Sequence, residues 1–138
     1  MSSIWRALLP LGALLRAMTG CQRGASSGGD ADWPLHGQNA WGQGYAASDQ
    51  IDTSNVARLG LQWYHQFDVD RGEEATPIMV DGVLYVSTAW SKVHAFDARS
   101  GKELWAFDPK VPPETLHKGC CDAVNRGVSV AHGRVFVG

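Results

Sequence analysis

From Trp33 onward, apolar residues come in short alternating runs and never recur at the three-to-four spacing of a long amphipathic helix. Thr76-Pro77-Ile78-Met79-Val80 predicts a short strand, and Asp81-Gly82 predicts a two-residue hairpin turn. Val83 to Thr88, rich in β-branched and aromatic residues, predicts the returning strand. Val93 to Asp97 gives a third strand, and Ser100-Gly101 turns into a fourth at Lys102 to Phe107. Strands of this length joined by tight turns make one antiparallel unit. The pattern then restarts about 50 residues on, with Gly127 to Val130, a His132-Gly133 turn, and Arg134 to Val137. Leu61-Gln62-Trp63 stands in step with Leu104-Trp105 and closes an earlier half-repeat. Units repeating at this period bury their faces only against neighbours, as in a propeller or a solenoid. The one helical signal is Asp52-Thr53-Ser54-Asn55 before Val56 and Leu59, a turn or two with Asp52 or Thr53 as its cap.

Residues 1–20 are set apart from the fold. Arg6 provides a positive start, and Ala7 to Leu15 is an apolar run too short for a span of roughly 20 residues. This is an export signal. The stretch ends in Met18-Thr19-Gly20-Cys21, which resembles the lipobox of bacterial lipoproteins and makes Cys21 the candidate lipidation site. Met18 in place of the usual Leu, and Arg16 within the apolar run, depart from that pattern. Residues 21–32, rich in Gly and Ser, read as a flexible linker, so the folded part is 33–138.

Composition adds exclusions. A net charge of −2 leaves no basic footprint for nucleic acid, and 44% hydrophobic content places the chain outside the disordered class. Three cysteines are too few for a disulfide scaffold. Gly42-Gln43-Gly44-Tyr45-Ala46-Ala47 fits a dinucleotide fingerprint in letters only, since no apolar strand precedes it and no helix follows. The five histidines, His36, His65, His94, His117 and His132, are scattered without metal spacing and read as surface or packing residues. No Cys-x-x-Cys-His run for a c-type haem is present.

Ala95-Phe96-Asp97-Ala98-Arg99-Ser100-Gly101-Lys102-Glu103-Leu104-Trp105 resembles the tryptophan-docking repeat of the pyrroloquinoline quinone (PQQ) dehydrogenases. Glu74-Ala75-Thr76-Pro77 and Cys120-Cys121-Asp122-Ala123-Val124-Asn125-Arg126-Gly127 resemble two cofactor-site motifs of that family, and Asp49 to Trp63 resembles its N-terminal segment. The resemblance implies an all-β chain, part of a β-propeller that is eight-bladed in the family. This chain would hold about one full blade and parts of two others. Such a set leaves sheet edges without partners, so the chain reads as the N-terminal part of a longer protein. It further implies a periplasmic enzyme that oxidises a small alcohol with PQQ and calcium, and passes electrons to a cytochrome c or a quinone. The double cysteine points to the alcohol-oxidising branch. A quinoprotein sugar dehydrogenase is one alternative, and a non-enzymatic scaffold or assembly lipoprotein using the same repeat is another.

By the same resemblance, Glu74, Cys120, Cys121 and Arg126 are the cofactor-binding residues. Cys120 and Cys121 would bridge each other, closing a ring so small that it constrains the unfolded chain very little. Two free thiols or a metal pair stand as the alternatives. Arg126 offers a planar fork suited to the carboxylates of PQQ. Glu74 would meet the quinone edge while Glu73 faces solvent, and Asp122 and Asn125 would be structural. The catalytic base and the calcium ligands are expected beyond residue 138, which leaves the chain alone inactive.

Overall fold

A computed structural model describes residues 32–46 and 48–138. The export signal, Cys21 and nearly all of the 21–32 linker lie outside the described residues. Among the described residues, no helix is long and apolar enough to cross a membrane.

The predicted four-stranded unit forms as expected. Strands β1 (Ile78–Val80), β2 (Val83–Ser87), β3 (Val93–Asp97) and β4 (Glu103–Phe107) lie in chain order in one sheet, each antiparallel to the next. The strands are shorter than predicted at several ends. Thr76 and Pro77 stay outside β1, where proline could not donate to the ladder. Strands β5 (Ser129–Ala131) and β6 (Arg134–Phe136) form a separate antiparallel hairpin. Both two-residue turns use left-handed backbone, with Asp81 and Gly82 at φ 51° and 76° and His132 and Gly133 at 50° and 69°. That geometry matches the right-handed twist of the flanking strands. Together these elements form one complete four-stranded blade and the first hairpin of the next.

The register assigns the side chains to faces. Ile78, Tyr85, Ala95 and Trp105 stand opposite one another and share one face. Here Ile78 and Val93 are buried with Val128, and Val130, Val135 and Val137 of the next hairpin pack against them. On the other face, Phe96 is buried beneath residues 61–67. That segment makes no sheet ladder but alternates like a strand. Trp63, His65 and Phe67 turn their rings toward Phe96 at centroid distances of 6.0, 4.7 and 6.2 Å. Leu61 and Tyr64 are exposed.

Trp63 carries the tie between this segment and the blade. Its indole Nε1 donates to the carbonyl of Ala98 at 3.0 Å, and its ring lies over Gly101. A Cβ at Gly101 would fall 2.5 Å from the ring, and Gly101 has φ +72°. Glycine is therefore required here on two counts. Asp97 holds the same turn by accepting from the amide and hydroxyl of Ser100 at 2.7 and 2.6 Å. Those two bonds are also the main reason its carboxyl sits below its ordinary pKa.

The helical signal resolves into a single 3₁₀ turn at Val56–Arg58. Asn55 occupies its cap position without a side-chain bond, so neither Asp52 nor Thr53 is the cap. Asp52 instead accepts from the amides of Ser54 and Asn55, a local Asx-type turn that competes with helix.

Candidate functional site

The candidate residues lie on two connections, Glu74 ahead of β1 and Cys120, Cys121 and Arg126 between β4 and β5, and both meet the β2–β3 loop at one edge of the blade. A 3₁₀ turn at Pro113–Lys118 leads into Gly119 and the Cys120–Asp122 loop. Cys121 and Asp122 are consecutive left-handed residues, at φ 75° and 83°. Trp90 and Ser91, between β2 and β3, form a second such pair at 65° and 52°. Non-glycine residues hold this conformation only where their surroundings fix it. The fixing contacts are visible. The Trp90 amide donates to the carbonyl of Ala123 at 2.8 Å. Arg71 pairs with Asp122 at 2.6 Å while its guanidinium lies 5.6 Å from the Trp90 ring centre.

Asn125 is the hub of the β4–β5 connection. Its carbonyl accepts from the Ser87 hydroxyl at 2.5 Å and the Gly127 amide at 3.0 Å. Its amide nitrogen donates to Ser91 Oγ at 3.1 Å and to the Gly138 carbonyl at 3.0 Å. Asn125 and Asp122 thus bind the loops to the blade, the structural role expected of them. Asn125 also fixes the backbone that follows Arg126, through the Gly127 amide.

Arg126 and Glu74 meet, with Nε 3.3 Å from Oε2. The guanidinium is 76% exposed, and this is its only ion pair among the described residues, so most of its fork is open to another acceptor. An exposed pair of this kind adds little stability. Cys121 lies within the field of both groups. Its thiol is pushed above its ordinary pKa chiefly by the hydrogen bond it donates to Cys120 and by the charge on that neighbour. Burial adds to the rise, Arg126 opposes it, and Glu74 adds a further part. The four residues therefore form one cluster. Cys120 and Cys121 are both free and exposed, so the bridge implied by the resemblance is not formed in this structure.

Beside the cluster, a cleft of about 670 Å³ is lined by Arg126, Gly127, Thr76, His36 and residues of β5 and β6. It reaches Arg126 but not Glu74 or the cysteines. His36 Nδ1 and Thr76 Oγ1 are 2.6 Å apart on its wall. Neither was singled out from sequence, although Thr76 stands within a motif that was.

The donor set decides what the cluster can hold. An open guanidinium fork, one carboxylate and two thiols suit a planar, carboxylate-bearing heteroaromatic molecule. A calcium ion needs six to eight oxygen ligands, which these side chains do not provide. His65 and His94 pack against Phe67 and Phe96 as expected of packing residues, and they also meet a carboxylate. His65, His94 and Glu103 come together with their ligand atoms all within 4.8 Å. The sheet register brings β3 and β4 side by side, so wide sequence spacing did not prevent the meeting.

A family profile described as the PQQ glucose/ethanol/alcohol dehydrogenase β-propeller domain matches residues 33–135. A 1-butanol dehydrogenase (cytochrome c) of Thauera butanivorans is 48% identical over 135 residues, covering 98% of this chain and 19% of that protein. The quinohemoprotein alcohol dehydrogenase of Comamonas testosteroni is 49% identical over 107 residues, covering 78% and 15%. Its crystal structure superposes with a TM-score of 0.73 at 48% identity, over 78% of this chain and 16% of that one. A europium-containing methanol dehydrogenase gives a TM-score of 0.71 at 31% identity, over 79% and 19%. This chain spans less than a fifth of the length of each of these relatives.

Proposed function

Since the chain belongs to the glucose/ethanol/alcohol dehydrogenase β-propeller family, we propose that Glu74, Cys120, Cys121 and Arg126 form one wall of a PQQ site in an alcohol-oxidising quinoprotein. The observation that carries this reading is the meeting of Arg126 and Glu74 at 3.3 Å, with Cys121 in their common field. Bound there, PQQ supplies the acceptor for the hydride of a small alcohol. Arg126 would hold a cofactor carboxylate with its open fork. Glu74 holds the guanidinium in place and presents its carboxylate to the polar rim. The cysteine pair would offer the cofactor a polarizable contact surface. In the periplasm a disulfide-bearing oxidant would accept the two electrons and two protons of the thiol pair, joining Cys120 to Cys121 and stiffening the contact surface. The proton-accepting carboxylate and the calcium ligands come from outside this chain, so the 138 residues alone do not turn over alcohol. Electrons pass on to a cytochrome c or a quinone. The protein works in the periplasm, held at a membrane through a lipid on Cys21.

The test is a PQQ titration of the apo protein at the length of its relatives, followed by quinone absorbance. Wild type, Arg126→Lys and Cys120→Ala are compared. Lysine keeps the charge but loses the fork, so Arg126→Lys is expected to weaken binding by about 1.5–3 kcal/mol, one to two decades. Equal binding by all three proteins, or none by the wild type, overturns the reading in favour of a propeller scaffold. Retained PQQ binding with oxidation of aldose sugars alone would favour a sugar dehydrogenase.

A further inference from the structure

On the face of the blade that carries Phe96, two imidazoles and a carboxylate converge where residues 61–67 cross the sheet. His94 Nδ1 lies 3.2 Å from Glu103 Oε2, and His65 Nε2 lies 4.0 Å from the same oxygen. The three ligand atoms all fall within 4.8 Å of one another. We propose that His65, His94 and Glu103 form a transition-metal site, suited to Zn²⁺, that clasps residues 61–67 to strands β3 and β4.

The ligand chemistry favours this ion class. Two imidazoles with one carboxylate are a common zinc set, and the nitrogen donors select against calcium or magnesium. With metal–ligand bonds of about 2.0–2.2 Å, tetrahedral ligands sit roughly 3.3–3.5 Å apart. The His94–Glu103 separation already matches. His65, 4.0 Å from the Glu103 oxygen and within 4.8 Å of the His94 nitrogen, has to draw closer to both, and it stands on a segment free of sheet hydrogen bonds. The fourth position falls to water, because His65 and Glu103 remain about a third exposed and leave an entry path.

The surroundings also fit. Phe67 and Phe96 flank the imidazoles, with His65 ring centroids 5.0 and 4.7 Å away and Phe67 4.9 Å from His94. This apolar collar restricts water on one side and holds both imidazole rings at fixed angles. His94 is only 17% exposed. A neutral reading, in which Glu103 merely accepts a hydrogen bond from His94, accounts for one of the two approaches to its oxygen but not for that of His65. The ion would act as a clasp between neighbouring propeller units, beside the one that Trp63 makes on Gly101.

The experiment is calorimetric titration of Zn²⁺ into the full chain, with Cys120 and Cys121 first alkylated so that thiols do not compete. One equivalent is expected to bind, unaffected by excess Ca²⁺, and to raise the thermal midpoint. Loss of an outer-shell partner costs a metal site about 10–100-fold, so loss of a ligand in His94→Ala or Glu103→Gln should weaken binding by at least that much. His132→Ala, on the distant β5–β6 turn, should bind as the wild type does. If His94→Ala does not fold, His65→Gln gives the same reading at a more exposed position. No binding by the wild type overturns the proposal. So does zinc binding that survives the His65, His94 and Glu103 substitutions.

Discussion

At the scale of single residues, the thiol of Cys121 reports on the whole candidate wall. Its pKa is raised first by Cys120, with Glu74 adding to the rise and Arg126 working against it. Only the thiolate is alkylated, so each neighbour should leave a signed mark on its reactivity. Under reducing conditions at mildly alkaline pH, Cys121 is expected to react with iodoacetamide more slowly than a free cysteine. Removing an opposing charge in Arg126→Ala should slow it further. Glu74→Gln and Cys120→Ala should each speed it up. Mass-spectrometric rates across pH check this, and identical profiles for all four proteins would show that these groups do not share a field. The residues of this wall were legible in the sequence only through family resemblance. Nothing in local spacing announces that Glu74 and Arg126 meet, because the turn of a whole blade lies between them.

At the scale of elements, the hairpins were legible from chemistry alone. Asp81-Gly82 and His132-Gly133 sit in turns that need two left-handed residues, and the alternation beside them sets the faces. The His65–His94–Glu103 cluster was not legible as a metal pattern, since its residues come from a ladder-free segment and two strands. The alternation of Trp63, His65 and Phe67 was the available signal, for it puts His65 on the face that meets the blade. The tryptophan-docking turn gives the sharpest test. At Gly101 a Cβ would meet both left-handed strain and the Trp63 ring, whereas at Gly82, with φ +76°, nothing lies within 4 Å. Left-handed backbone costs an ordinary residue about 1–2 kcal/mol, and overpacking adds about 1–3 kcal/mol. Gly101→Ala is therefore expected to destabilise by about 2–5 kcal/mol and Gly82→Ala by about 1–2 kcal/mol, measured by urea unfolding of the same protein. Equal losses would mean that the indole does not dock there in solution.

At the scale of the whole molecule, one sheet is covered on both faces by parts of its neighbours. All five residues of β4 remain exposed, with Trp105 40% exposed and 6.0 Å from Tyr85. Burial is thus shared between units rather than completed within one, as the repeat period suggested. Where the molecule resides rests on its first residues. If Cys21 carries a lipid, palmitate supplied to cells should label the wild type and not Cys21→Ser, and equal labelling of both would remove the anchor. The bond from Trp63 to Ala98 carries a consequence in time. The two residues are 35 apart in the chain. At synthesis rates of about 5–20 residues per second, the indole emerges roughly 2–7 s before the turn that receives it. Through that interval Trp63, His65 and Phe67 are without the Phe96 ring on which all three pack in the finished fold.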